Sequence, residues 1–337
     1  SGFIAHRYQD LRGMEVMLAD GSVIRSGFWN LPEGKREIHH WPTGLGADWR
    51  GLFSQSNLGI VTKAVVNLYP KKEVQKMLWV KMEQDQVPGF VEATADLFQR
   101  GYLHGVVHIG NDKRMKIEHQ NKQATPLWTA FVLVQGSAAF VRFLETEIQE
   151  RLTGLYQSLG FLTESEAESQ GIGPVFGCHV GRPTDYFVKA MYQSEGATLD
   201  REDLQIDLGR YGMLCCLPIL PAKAEDIAAA IEVLESIDRD FGIIPAATLN
   251  PMNDLNLESV INIYFDRTDP EAVKQAHAAN AEMHKRFYDE GFRFYRFDIE
   301  TKREYILPDN PHFQFVGKLK QALDPNRILS PGRYEAV

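Results

Sequence analysis

The sequence predicts an α+β fold, and three observations carry that prediction. Apolar residues alternate in short runs, as in Lys76–Met82 and Ser259–Phe265, the period of a half-buried strand. Elsewhere they recur at helical spacing: Ile227, Ile231, Leu234, Ile237 and Phe241 stand at steps of four, three, three and four. Strand–helix–strand succession appears twice within residues 76–293, with connections that suit an antiparallel sheet carrying helices on one face.

Taken in order, residues 1–70 read as β-rich. Met14–Leu18 runs into Asp20-Gly21, a hairpin turn signal, and Ser22–Arg25 returns. Residues 28–50 are rich in Gly, Pro and Trp and read as a loop. Ser54, Gln55, Ser56, Asn57 and Gly59 form a small, polar turn before the alternating run Ile60–Pro70, which reads as a buried strand. Such a turn, with its hydroxyls and free N–H groups, suits an anionic or strongly hydrogen-bonding ligand, although a purely structural turn is the commoner explanation.

After Pro70 the pattern gives a strand at 76–82 and a helix from Pro88 to Tyr102, with Pro88 in the first turn. Strands follow at 105–109 and 128–134, and then a long amphipathic helix over Ser137–Leu159. Residues 160–210 read as irregular. A strand over 213–220, a helix over 224–241 closed by Gly242, a strand over 259–265 and a helix over 269–291 complete the unit.

The chain has 337 residues, enough for a large core and two domains. Its net charge is −9 with no basic cluster, which argues against a nucleic-acid partner. No apolar run reaches the roughly 20 residues that cross a bilayer. Three cysteines, Cys178, Cys215 and Cys216, without a C-x-x-C pair, point to a reducing, cytoplasmic setting and no disulfide framework.

Three segments share their order with one family. Gly51–Lys63 (GLFSQSNLGIVTK) resembles the G-(L/M)-F-(S/T)-Q-(S/A)-x-x-G-I-x-T-K segment of the vanillyl-alcohol oxidase and p-cresol methylhydroxylase flavoproteins. Gly13–Gly27 is similar to the strand–turn–strand before it. Asp324–Arg333 (DPNRILSPGR) is similar to the C-terminal D-P-N-x-I-x-(A/S)-P-G-(K/R). The resemblance implies residues 1–70 and 294–337 as the second part of a PCMH-type FAD-binding domain, with a ferredoxin-like, antiparallel-sheet cap inserted over 71–293.

It also implies chemistry. Tyr295 and Arg296 match a pair that holds a substrate phenol as its phenolate, since a fixed guanidinium and a donating phenol lower the pKa of a bound phenol. The alternative is a packed tyrosine with Arg296 paired to Asp298 or Glu300. His6 falls where the family keeps an acid/base aspartate near the flavin; a terminal surface histidine is the plainer reading. Gly59, Ile60, Thr62 and Arg333 match cofactor-side positions. Met213 stands near the family's covalent attachment site. It cannot make that bond, so FAD is expected non-covalently, and core packing is its default role.

The family's pyrophosphate-binding half would precede Gly13, and only twelve residues do. The chain is expected to be a fragment, a processed chain, one subunit of a split enzyme, or a short form without flavin, and to hold FAD poorly alone. The implied reaction removes hydride from a para-substituted phenol, with electrons passing to oxygen or to a separate acceptor. The rival is a flavin-free homologue acting as a subunit or binding module. The implied partners are a small aromatic substrate, an FAD-domain half and a second copy through the cap. His104 and His108 have metal-like spacing only on a helix, and the stretch reads as strand, so no metal is expected.

Overall fold

The computed structural model describes residues 7–31, 36–119, 127–184, 210–298 and 301–335. His6, the candidate acid/base, lies outside the described residues. The chain divides into two compact units. One is built on Lys71–Arg296, the other on the described residues of His6–Pro70 and Phe297–Val337.

In the discontinuous unit, β1 (Leu11–Met17) turns through Asp20-Gly21 into β2 (Val23–Arg25), and β3 (Ile60–Val66) pairs with the other edge of β1. Gly21 has φ of 83°, the left-handed conformation that such a turn requires. Met14, Val16, Phe53 and Leu58 form the small core of this unit. β3 is a strand, as its alternation predicts, but it is not buried. Ile60 is 47% exposed and Val66 53%. Alternation reports that one face wants cover; it does not say that these residues supply it.

The second unit is an antiparallel sheet with helices. In chain order it contains β4 (Val74–Met82), α1 (Val87–Gln99), β5 (His108–Gly110), α2 (Asp112–His119), β6 (Trp128–Gly136), α3 (Ala138–Arg151) and β7 (Ser158–Leu162). There follow α4 (Glu164–Ser169), α5 (Gly173–His179), β8 (Tyr211–Cys216), β9 (Pro218–Pro221), α6 (Ala224–Phe241), β10 (Ala246–Pro251), β11 (Asn256–Asp266), α7 (Pro270–Asp289) and β12 (Arg293–Phe294). Strand order is β12-β9-β11-β10-β5-β6-β4-β7, with β8 also on β11. The α+β class read from the sequence is the class observed.

One face of this sheet meets α1, α3, α6 and α7. Phe90, Leu144, Ile231 and Met283 from those helices pack on Val80, Ile109, Leu249 and Ile261 from the strands. α6 begins and ends where its spacing predicts, because Gly242 at φ 64° stops it. α7 is capped by Asp269, whose carboxylate accepts from the N–H groups of Glu271 and Ala272.

Three departures have physical causes. The helix expected over 137–159 ends at Arg151; Gly154 takes φ of 85°, and Leu159 reaches the same core from β7. Periodic leucines marked the core, not the length of one helix. Residues 160–184, read as irregular, hold the end of β7 together with α4 and α5; α4 is opened by a capping box between Thr163 and Glu166. β10 has a weak strand sequence, AATLNP, yet is wholly buried because β5 and β11 pair on both its sides. The discontinuous unit closes with α8 (Lys302–Tyr305) and α9 (Pro311–Leu323).

Candidate functional site

In the discontinuous unit two motif loops are tied together. Asn57, in the Ser54–Gly59 turn, donates its side-chain N–H to the Ser330 carbonyl (3.1 Å) and to Glu335 Oε1 (3.2 Å). Lys320 on α9, fully buried, donates to the Asn57 carbonyl (2.8 Å) and the Leu329 carbonyl (2.6 Å) and pairs with Asp324 (2.7 Å). The Gly51–Lys63 and Asp324–Arg333 segments are thus one constellation in space.

Backbone strain concentrates here. Among the described residues, the non-glycine residues at positive φ are Gln55 (53°), Arg327 (50°), Ser330 (39°) and Tyr334 (58°). All four sit in, or one residue beyond, these two motifs. Left-handed conformations outside glycine persist where surrounding structure over-determines them, and they cluster at ligand sites. Beside them is a cavity of about 570 Å³ lined by Lys302, Ile306, Arg327, Pro331, Gly332 and Glu335.

The predicted cofactor-side residues lie as follows. Gly59 is glycine for a packing reason: a Cβ there would stand 2.6 Å from Val16 and 2.8 Å from Phe53. Gly59→Ala is expected to destabilise this unit by about 1–3 kcal/mol through overpacking, measured by urea denaturation; an unchanged midpoint would refute the packing role. Ile60 presents an exposed apolar side chain. The Thr62 hydroxyl already bonds Glu15 Oε1 at 3.0 Å. Glu15 is held down at about 2 by Arg25 first and Lys63 next. The Arg333 guanidinium lies over the Tyr334 ring at 4.8 Å. Exposed Ile60 and Val61, strained loops and a cavity flanked by Lys302 and Arg327 fit a large, flat cofactor with anionic groups, as FAD is.

In the sheet unit, Tyr295 follows β12 and donates its backbone N–H to the Leu217 carbonyl (3.2 Å). Burial, then the Glu258 carboxylate, raise its phenol pKa, while Arg296 opposes them. Tyr295 therefore stays protonated and able to donate. The Arg296 guanidinium stands 5.7 Å from the Tyr295 ring centroid. Asp298 instead accepts from the N–H and hydroxyl of Thr301, both at 2.7 Å. Among the described residues no ion pair engages Arg296, so the Arg296–Asp298 alternative does not hold; Glu300, the other partner considered, lies outside the described residues.

The sheet face turned away from α1, α3, α6 and α7 is covered near β4, β6 and β7 by an apolar cluster including Met77, Phe131, Met115 and Phe176. The other half of that face is polar. One cross-strand row runs Arg293, Ile219, Glu258, Asn250; continuing the register, the next position is His108, opposite Phe131. Asn250 and Thr248 are 6% and 5% exposed. His179, at the end of α5, sets its ring 5.1 Å from that of His108, edge to face. Burial, then the neighbouring His179, push the His108 pKa well below its ordinary value, and burial lowers that of His179.

Sequence reading missed this polar half-face. Its signal was present, in the alternation of Thr248 and Asn250, and of Glu258, Asn262 and Tyr264, with apolar core residues. Met213, expected in the core, is 39% exposed on β8; its face is the polar one, opposite Tyr264. Among the described residues no group of three or more metal-ligating side chains occurs. Cys215 and Cys216, neighbours on β8, point to opposite sides of the strand and form no disulfide.

Comparison with known proteins places this architecture. No protein-family model matches the chain. A 1'-carboxy-chondrochloren decarboxylase from Chondromyces crocatus is 23% identical over 389 aligned residues, covering 99% of this chain and 69% of that protein. The 4-cresol dehydrogenase [hydroxylating] flavoprotein subunit of Pseudomonas putida is 24% identical over 350, covering 95% and 63%. The structure of a 4-ethylphenol oxidase from Gulosibacter chungangensis, in complex with isoeugenol, superposes with a TM-score of 0.83 at 21% identity, covering 98% and 66%. Over nearly its whole length the chain has the fold of that structure. More closely, the chain is a homologue of the vanillyl-alcohol oxidase and p-cresol methylhydroxylase family and has its fold. It spans about two thirds of the length of these relatives.

Proposed function

We propose that this chain is the cap-bearing portion of an FAD-dependent oxidoreductase that takes hydride from a para-substituted phenol. The observation that carries the reading is the Tyr295–Arg296 pair: a protonated phenol donor and, against its ring, a guanidinium that no described carboxylate engages. Both would donate to a bound phenol oxygen and favour its ionised form. The electron-rich ring would then favour loss of hydride from the substituent carbon bonded to the para position, leaving a quinone methide. FAD, when bound, supplies the hydride acceptor. Ile60, Thr62 and Arg333, with Gly59 shaping the turn, are the residues proposed to hold it. His6 is proposed as the proton-handling group.

The assignment of residues 1–70 and 294–337 to the flavin-binding domain and 71–293 to the cap is part of this proposal. So are a partner supplying the pyrophosphate-binding half, an electron acceptor that is oxygen or a separate cytochrome-like protein, pairing with a second copy through the cap, and a cytoplasmic location. Among the described residues no helix is long and apolar enough to cross a membrane. The name of the decarboxylase relative adds loss of a carboxylate as a second outcome to score.

The test is reconstitution of the chain with a polypeptide supplying that half, followed by anaerobic addition of 4-ethylphenol. A yellow complex that bleaches supports the reading. A complex that binds flavin and stays yellow with every para-alkylphenol defeats the substrate. Failure to bind flavin at high concentration favours a flavin-free subunit or binding module.

A further inference from the structure

We infer that His108 and His179, with Asn250 beside them, form a subsite that takes the hydroxyl of a substrate whose para substituent ends in a hydrogen-bond donor. This rests on the reading of Tyr295 and Arg296 as the phenol-holding pair and names a substrate class for that same sheet face.

The chemistry starts at His179, 7% exposed. Its Nδ1 lies 2.9 Å from the Val175 carbonyl. A carbonyl only accepts, so Nδ1 carries the proton and Nε2 presents a lone pair. That Nε2 is buried without a hydrogen-bond partner. The Thr248 hydroxyl, on the adjoining row of the same face, is also buried and without one. Buried polar atoms are nearly always bonded, and each exception costs stability. In the apolar half of the face the protein fills such positions with Met77 and Phe131; here it keeps acceptors. Both imidazoles are neutral at pH 7, so the group they suit is a neutral donor, not an anion. His108, against which the His179 ring lies, is less deeply buried than His179.

Spacing sets the length of the ligand. Glu258, whose charge reaches Tyr295, is one strand from Asn250 and two from the position of His108. Two strand spacings are roughly 10 Å. That is close to the span from the oxygen of a phenol to the end of a three-carbon para chain.

The test titrates the chain with 3-(4-hydroxyphenyl)propan-1-ol and, separately, with 4-propylphenol. Affinity is read by calorimetry, and the imidazole nitrogens by NMR on histidine-labelled protein. The expected result is tighter binding of the alcohol, with a shift of the His179 Nε2 signal that 4-propylphenol does not produce. His179→Leu is expected to weaken the alcohol about tenfold and leave 4-propylphenol unchanged, while His179→Gln, which keeps an acceptor, recovers part of the loss. A merely structural histidine would weaken both ligands alike. Equal affinities with an unmoved Nε2 signal would overturn the subsite alone. Binding of neither phenol would overturn the phenol-holding reading and the subsite with it.

Discussion

Arg296→Leu is expected to lower kcat/KM for 4-ethylphenol in the reconstituted flavoprotein by about 10²- to 10³-fold. In the proposed reaction the guanidinium would stabilise charge that develops on the phenol oxygen before hydride leaves, so its loss would fall on the reacting state. Two further signs separate this from a packing defect. Arg296 is exposed within the chain and joins no described ion pair, so the melting temperature should barely move. The bound phenol loses its cation, its pKa rises, and the alkaline shift of the rate profile should report it. Arg296→Lys should restore only part of the rate, because an ammonium cannot reproduce the planar fork of donors. Rapid anaerobic reduction across pH measures all three. A loss under about threefold would remove Arg296 from the chemistry.

The second large effect is structural. Lys320→Met is expected to lower the melting temperature of the discontinuous unit by about 10 °C or more, because it strands the Asp324 carboxylate in the interior. Burial would raise the Asp324 pKa; Lys320, with the N–H groups of Leu329 and Ile328, overrides it and holds the carboxyl at about 2. Its folded pKa lies below the unfolded value of about 3.9, so the carboxylate contributes stability that is complete above that value and is lost as pH falls toward 2. The gap between wild type and Lys320→Met should therefore narrow below about pH 4. Calorimetry between pH 7 and 3 checks it. A gap that stays constant, or a loss of only a few degrees, would show that the pair is dispensable. Because Lys320 also holds the Asn57 and Leu329 carbonyls, the variant should loosen the strained segment around Ser330 as well.

Much of the fold was legible in the sequence. The hairpin at Asp20-Gly21 and the span of α6 are local decisions, made by turn glycines and helical spacing. The three motifs were legible as residues. Their union was not, because it depends on Asn57 and Lys320 meeting a segment some 270 residues away along the chain. β3 was read as buried because alternation looks the same whether or not something covers the strand. The helix over 137–159 was overextended because Leu155, in the turn after α3, and Leu159, on β7, pack on the same core as the helix. The polar half of the sheet was overlooked because Thr248, Asn250 and His108 become neighbours only when β10 and β5 pair.

What the sequence determined by itself was the α+β class, the span of α6 and the identity of the motif residues, since each follows from interactions within a few residues. Tertiary structure decided which side of each strand is covered, where the backbone is forced to positive φ at Gln55 and Ser330, and that the His179 ring lies against His108 with its Nε2 buried and unpartnered. Burial and cross-strand register are properties of distant segments in combination, and no short stretch of chain encodes them alone.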